Sequence, residues 1–102
     1  MYQLTVLYHQ PDDPAAFDDY YDRTHVPLAR ALPGLQRFTV SRPQPGPDGA
    51  APQYHLVATL EFADQAAFGS AMGGAEGQAA VADVPNFATG GATMLTGPSQ
   101  TP

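Results

Sequence analysis

The chain contains no cysteine, no lysine and no tryptophan, and basic residues of any kind are scarce. Without cysteine it forms neither disulfides nor thiolate metal sites, and it has no thiol nucleophile. Arginine supplies all 4 basic side chains, which stand against 10 carboxylates. So few cations, scattered over Arg23, Arg30, Arg37 and Arg42, cannot follow a phosphate backbone. We therefore expect no nucleic-acid partner.

Long hydrophobic runs are also missing. No apolar stretch approaches the roughly 18 residues that a membrane span requires, and no basic segment precedes an apolar block near the first residue. These absences predict a cytoplasmic protein that has no membrane partner. What the chain does have is a hydrophobic fraction of 43% in 102 residues. That is enough for one modest core, and hence for a single domain.

The first half of the chain predicts a strand, a helix and a second strand. Tyr2–His9 is rich in β-branched and aromatic residues, as strands are. Asp13 is suited to cap a helix that begins at Pro14 and runs to about Ala31, before Pro and Gly end it. The second strand is predicted over Leu35–Arg42.

The second half repeats this pattern after a Pro/Gly-rich loop at residues 43–52, which is either a lid or a tolerated surface insertion. Its predicted elements are the strand Gln53–Phe62, a helix that Asp64 caps and Gly73-Gly74 break, a short helix over Ala75–Ala82, and the strand Phe87–Thr96. We expect residues 1–96 to form the domain and residues 97–102 to form a frayed tail.

The element order β-α-β-β-α-β predicts an α+β, ferredoxin-like fold, in which both helices cover one face of a four-stranded antiparallel sheet. Both faces of the predicted strands carry apolar residues, with Leu7, Val57 and Phe87 or their neighbours among them. An uncovered sheet face of this kind is normally an interface. We therefore expect a homodimer in which two sheets pack face to face, the arrangement called a dimeric α+β barrel.

His25 is the residue that says most about function. At helical spacing, the first helix presents one apolar stripe, which comprises Phe17, Tyr21, Thr24, Leu28 and Leu32. His25 lies on the edge of this stripe, one turn after Tyr21, so it turns inward with the apolar side chains. Pro27 cannot donate a backbone hydrogen bond and is expected to bend or loosen the helix there. An inward imidazole, whose pKa lies near neutrality, is suited to moving a proton.

The sequence resembles the EthD family of small dimeric α+β-barrel proteins. The matching segments, in the family's order, are Leu4–Tyr8, Phe17–Leu28, Leu32–Leu35, Tyr54–Ala58 with Glu61-Phe62, and Asp83–Phe87. The resemblance implies a pocket between the helices and the sheet, with the histidine of the first helix as its characteristic polar residue. Family members are associated with ether degradation, lactone isomerisation and polyketide-type dehydration or cyclisation.

Two features separate this chain from chemistries associated with the family. No Gly-rich dinucleotide fingerprint follows a strand, so the family's "reductase" label finds no support here. Relatives that isomerise lactones use a cysteine alongside the histidine, and this chain has none. The expected cofactor is accordingly none.

Each candidate site residue has a structural alternative. His25 is either the acid/base residue or a buried histidine that only satisfies loosened backbone carbonyls. Tyr21 is the candidate for orienting a ligand, and Asp83 either orients His25, fixes a substrate group or serves its own turn. The remaining candidates for substrate binding are Leu28, Val57, Phe68 and Phe87. His9 and His55 do not have the spacing of metal ligands, and we predict no metal site.

These expectations favour a cofactor-independent acid/base enzyme that isomerises, dehydrates or cyclises a small, hydrophobic, oxygenated substrate. The alternative is a non-catalytic binding or accessory protein for an apolar metabolite. A monooxygenase, with or without haem, is the third possibility within the wider superfamily. All three predict a small apolar ligand as the partner, besides a second copy of the chain.

Overall fold

The computed structural model describes all 102 residues. The first half comprises β1 (Tyr2–His9), α1 (Pro14–Tyr20), a π-helical turn (Tyr21–His25), α2 (Val26–Arg30) and β2 (Leu35–Ser41). The second half comprises β3 (Tyr54–Phe62), α3 (Gln65–Gly73), α4 (Ala75–Asp83), a 3-10 turn (Val84–Asn86) and β4 (Ala92–Pro98). None of the helices combines the length and the apolar character needed to cross a bilayer.

The four strands form one sheet in the order β2-β3-β1-β4, and every neighbouring pair is antiparallel. In β1 and β3, alternate side chains are buried beneath the helices, and those between them are only partly buried. The buried set comprises Leu4, Val6, Tyr8, Leu56, Ala58, Leu60 and Phe62. The predicted ferredoxin-like α+β fold is confirmed.

The helix predicted from Pro14 to Ala31 contains a wider turn. The backbone N–H of Val26 donates to the carbonyl of Tyr21, which is the i to i−5 bond of a π-helix. This turn ends at His25, two residues before Pro27, which has no N–H to donate to the carbonyl of Arg23 in an α-helical ladder. The expectation that Pro27 loosens the helix is therefore confirmed.

Because of the π turn, the buried stripe of the first helix differs from the predicted one. Thr24 is exposed and Leu28 only half-buried, whereas the buried positions are Phe17, Tyr21, His25, Ala29 and Leu32. In a regular α-helix, at 100° per residue, His25 would lie roughly 80° around the axis from Phe17. The wider turn takes up this difference, so His25 lies inside the stripe and not on its edge.

The last strand begins later than predicted. Phe87 was expected to open it but follows the 3-10 turn instead, and its ring is buried, with 4% exposed, on the helix side of the sheet. The chain then turns through Gly91, whose φ of 91° is the left-handed conformation that glycine adopts readily, and β4 begins at Ala92. Pairing continues into the predicted tail, because the backbone N–H of Ser99 donates to the carbonyl of Met1.

Both helical segments of the second half are positioned by short-range signals. Asp64 caps α3, since its carboxylate accepts from the backbone N–H of Ala67 at 2.8 Å. The chain turns at Gly74, and α4 returns against α3 at Gly77, where the two backbones nearly touch. An ideal Cβ on Gly77 would lie only 2.4 Å from the carbonyl oxygen of Ala71. This contact fixes α4, whose last residue is Asp83.

Candidate functional site

His25 and Asp83 form a buried hydrogen-bonded pair. Nδ1 of His25 lies 3.1 Å from Oδ2 of Asp83, and the two residues expose only 6% and 7% of their surface. The π turn brings the imidazole inward from the first helix, and the C-terminal end of α4 brings the carboxylate to it. Of the alternatives considered for Asp83, a contact with His25 is the one that this pair of atoms makes.

The other oxygen of Asp83 is also engaged. The hydroxyl of Tyr20 donates to Oδ1 at 2.6 Å, and the side-chain amide of Asn86 donates to the same atom at 3.0 Å. Burial by itself would raise the pKa of Asp83, but the hydrogen bonds from Tyr20, Asn86 and His25 outweigh it and hold that pKa below its usual value. Asp83 is therefore a carboxylate at neutral pH.

The protonation of His25 follows from its surroundings. Burial lowers the pKa of His25, and the hydrogen bond and charge of Asp83 only partly oppose this. The ring is therefore mainly neutral near pH 7. Because an ionised carboxylate can only accept hydrogen bonds, the hydrogen of the neutral ring belongs on Nδ1. This leaves the lone pair of Nε2 free to accept a proton.

Nε2 lies beside Tyr8 and among aromatic rings. The hydroxyl of Tyr8 is 3.5 Å from Nε2, which is long for a hydrogen bond and leaves this nitrogen weakly engaged. Burial raises the pKa of Tyr8 far above its usual value, so the hydroxyl keeps its proton and remains a donor. The rings of Phe87 and Tyr21 lie 4.7 and 5.4 Å from the imidazole, centroid to centroid. They keep water away from the pair.

An apolar cavity adjoins His25 between the helices and the sheet. Its volume is about 40 Å³, and 14 of its 15 lining residues are hydrophobic, His25 being the other. The floor is formed by Leu4, Val6, Tyr8, Ala58 and Leu60; the helices and the sheet edges contribute Tyr21, Ala29, Leu32, Phe38, Met72, Ala80, Val81, Val84 and Met94. Such a volume holds only a few water molecules, so a ring-sized ligand must displace side chains as it enters.

The predicted site residues fall into two groups. Tyr21 lines the cavity together with His25, while Asp83 and Phe87 contact the imidazole without lining the cavity. Leu28, Val57 and Phe68 are not brought to the site.

Each of these three displacements has a physical cause. The π turn rotates Leu28 away from the buried stripe. Val57 pairs with Leu7 on the sheet face that carries no helices, because side chains alternate along a strand. Phe68 does face inward, but it packs on Tyr2 and Phe62, at the opposite end of β1 from Tyr8.

The residues that sequence reasoning missed come mainly from α4 and the sheet edges. Ala80 and Val81 of α4 line the cavity together with Val84, which follows about one turn later at the start of the 3-10 turn, and Met94 and Phe38 close it from the two edge strands. The hydrogen bond between Tyr20 and Asp83 was not foreseen either. No local signal connects these two residues, since 63 positions separate them along the chain.

The other two histidines lie outside this site. His9 contacts Thr93 through Nε2, at 3.0 Å, and packs on the ring of Tyr54. His55 lies at an irregularity in the pairing of β1 with β3, where its Nε2 is 2.8 Å from Oδ1 of Asp18. Nowhere do three or more His, Cys, Asp or Glu side chains come together as ligands for one metal ion.

Fold and site together define a class: a small α+β protein that holds one buried histidine, oriented by a carboxylate, over an apolar cavity beneath its helices. Comparison with known proteins gives the family. The model of the EthD domain matches residues 9–91, and the chain belongs to the EthD family.

Two relatives and one more distant structure extend this comparison. An uncharacterized 11.0 kDa protein of the thcB-thcC intergenic region of Rhodococcus erythropolis is 45% identical over 95 residues, which cover 93% of this chain and 91% of that protein. An ethyl tert-butyl ether D (EthD) family protein of Bacillus halodurans is 35% identical, with a TM-score of 0.91 over 98% of this chain and 99% of that one. SnoaB, a cofactor-independent oxygenase of Streptomyces nogalater, is 19% identical; its TM-score of 0.66, over 99% and 93% of the two chains, shows a shared fold.

Proposed function

We propose that the protein is a cofactor-independent enzyme in which His25 transfers a proton to or from a small, hydrophobic, oxygenated substrate. The observation that carries this proposal is the buried pair of His25 and Asp83, whose free nitrogen Nε2 adjoins a cavity that is otherwise apolar. A cavity with a single basic group favours isomerisation, dehydration or cyclisation, since these reactions need a positioned acid/base and a dry site.

In this proposal each partner of His25 has a role. Nε2 removes a proton from a carbon next to a substrate carbonyl, and the imidazolium that forms is stabilised by the carboxylate of Asp83 at 3.1 Å. The same nitrogen then returns the proton to another atom of the substrate, so that an isomerisation consumes no co-reactant. The hydroxyl of Tyr8, which lines the same cavity, is suited to donate to the oxygen on which negative charge develops.

Proton transfer can be measured before the natural substrate is known. The assay follows deuterium uptake from D₂O into a panel of small β,γ-unsaturated lactones by ¹H NMR. We expect His25→Ala to lower the enzyme-dependent rate by about 10²–10⁴, the usual contribution of a positioned base. His9→Ala is the matched control, because His9 lies outside the site, and its rate should equal that of the wild type. Unchanged exchange in His25→Ala, with the fold intact, would remove His25 from the mechanism.

A binding protein for an apolar metabolite is the second candidate, and the near-absence of polar groups in the cavity favours it. It predicts that members of the panel bind without exchanging protons, and that His25→Ala changes affinity alone. Native mass spectrometry of the purified protein tests whether a small molecule is retained. An oxygenase is the third candidate, because the chain shares its fold with SnoaB. An oxygenase would take up O₂ in the presence of substrate, and an oxygen electrode measures this directly.

We further propose that the chain acts in the cytoplasm as a homodimer formed through the sheet face that carries no helices. This face presents Leu7 and Val57 opposite each other at its centre, and Leu95, which is 54% exposed, near its edge. Val57→Glu should convert the dimer into a monomer in size-exclusion chromatography with light scattering. Val40→Glu, an exposed position aligned with Ala58 on the other face, is the control and should remain dimeric.

A further inference from the structure

The two carboxylate oxygens of Asp83 have different hydrogen-bond partners. Oδ2 contacts His25, while Oδ1 accepts from Tyr20 at 2.6 Å and from Asn86 at 3.0 Å. The two donors also contact each other, since the amide nitrogen of Asn86 lies 3.5 Å from the hydroxyl of Tyr20. Neither Tyr20 nor Asn86 lines the cavity.

We infer that Tyr20 and Asn86 are positioning residues: by holding Oδ1 of Asp83, they keep Oδ2 directed at Nδ1 of His25, so that Nε2 faces the cavity without a hydrogen. The inference rests on the proposed function for its catalytic consequence. Its structural content, the tautomer of His25, can be tested without a substrate.

The need for such positioning follows from the freedom of the groups involved. The terminal torsion of an aspartate is broad, so a carboxylate held at one oxygen only can rotate. Neutral imidazole has two tautomers, and the one with hydrogen on Nε2 has no lone pair on the nitrogen that faces the cavity. Two donors on Oδ1 oppose the rotation, and they also satisfy an oxygen that would otherwise be buried without a partner.

The surroundings of Tyr20 hold its hydroxyl in place. Its ring stacks on Phe87, with centroids 5.6 Å apart and planes inclined by 26°, and Phe87 packs directly on the imidazole of His25. On its other side Tyr20 borders a surface cleft that Asn86 and Phe87 also line. Tyr20 and Asn86 line this cleft and not the cavity, so they act on His25 through Asp83 and without contact to a ligand in the cavity.

The test is the ¹⁵N chemical shifts of the imidazole nitrogens of His25, read from long-range ¹H–¹⁵N correlation spectra of the full chain at pH 8. The chain has 3 histidines, so His9 and His55 serve as internal references. In the wild type we expect Nδ1 to carry the hydrogen. In Tyr20→Phe and Asn86→Ala the shifts of the two nitrogens should approach each other, which reports a mixture of tautomers. Tyr54→Phe, which removes a hydroxyl outside this network, should match the wild type.

The activity of the same variants gives the second readout. In the deuterium-exchange assay, kcat should fall by about tenfold in Tyr20→Phe, the lower end of what outer hydrogen-bond partners of an oriented histidine contribute elsewhere, and KM should not change. A wild-type tautomer in both variants would overturn the inference, whatever the rates. Exchange that is insensitive to His25→Ala would instead reject the proposed function, while the shifted tautomer would still establish the positioning role.

Discussion

Replacing Gly77 with alanine tests whether the close approach of α3 and α4 positions Asp83. A Cβ at this position would lie 2.4 Å from the carbonyl oxygen of Ala71, and 2.5 and 2.6 Å from Cα and the carbonyl oxygen of Met72. All three are backbone atoms, so no flexible side chain can move aside. The two helices must separate by about 1 Å to restore an ordinary van der Waals contact of about 3.4 Å.

The expected loss of stability combines two opposing effects. Overpacking of this kind costs about 1–3 kcal/mol, and the better helix propensity of alanine returns about 0.5–1 kcal/mol. With the middle of each range, the free energy of unfolding falls by about 1 kcal/mol, which lowers Tm by about 4–8 °C in a domain of this size. Gly69→Ala is the matched control, because Gly69 lies within α3 and its Cβ would meet nothing within 4 Å. That variant should gain about 0.5–1 kcal/mol.

Urea unfolding followed by far-ultraviolet circular dichroism measures both variants, since the chain has no tryptophan to report its tertiary structure. A second readout is the ¹⁵N spectrum of His25. A shift of α4 by about 1 Å is large compared with the range of good hydrogen-bond distances, so the 3.1 Å contact between His25 and Asp83 should weaken. The reasoning fails if Gly77→Ala is as stable as Gly69→Ala and keeps the wild-type spectrum.

Three further predictions concern single side chains. Tyr8→Phe should slow deuterium exchange while lowering the free energy of unfolding by less than about 1 kcal/mol, because the hydroxyl's contact to His25 is long; equal rates would exclude the hydroxyl from the reaction. Burial lowers the pKa of His25 below its ordinary 6.5, so on acidification the imidazole takes up its proton in the unfolded chain before it does so in the folded one. The free energy of unfolding should therefore fall as the pH drops below about 6.5. In His25→Gln, the urea midpoint should depend less on pH over that range. The pKa of Asp18 is also lowered: burial would raise it, but His55 and Arg42 outweigh that effect. Above its unfolded pKa, Asp18 therefore adds stability, and this contribution is lost as the pH falls through its folded pKa. Asp18→Asn should be less stable than the wild type at pH 7 but not at pH 2. A difference in urea midpoint at pH 2 as large as the one at pH 7 would contradict the argument.

Local sequence signals predicted the order of the elements well. Asp13 and Asp64 each accept a hydrogen bond from the backbone N–H three residues later, as their positions before a helical pattern indicated. His25 was expected to turn inward and does so. These successes depend on interactions within a few residues of the chain, which a single sequence displays directly.

The remaining parts of the site depend on contacts between distant residues. Phe68 packs against the core away from the site for which it was a candidate, because periodicity gives the face of a helix and not the place along the sheet that the side chain reaches. Phe87 reads as the first residue of a strand, yet the 3-10 turn before it directs its ring into the core. The π turn could be anticipated only as a weakness at Pro27, since no propensity specifies one extra residue in a turn. The order of strands in the sheet likewise arises from packing.

The pair of His25 and Asp83 joins the two halves of the chain, since the two residues are 58 positions apart. His25 belongs to the first β-α-β unit and Asp83 to the second, and contacts between positions so far apart form late in folding because the loop between them must close first. β1 and β2 of the first unit are not neighbours in the sheet, so a chain with only one unit in place lacks both the complete sheet and one partner of the pair, and cannot orient the imidazole. In the proposed function, proton transfer at Nε2 would report on the completion of folding more strictly than helix content does, and recovery of deuterium exchange would serve as the final stage of kinetic refolding experiments.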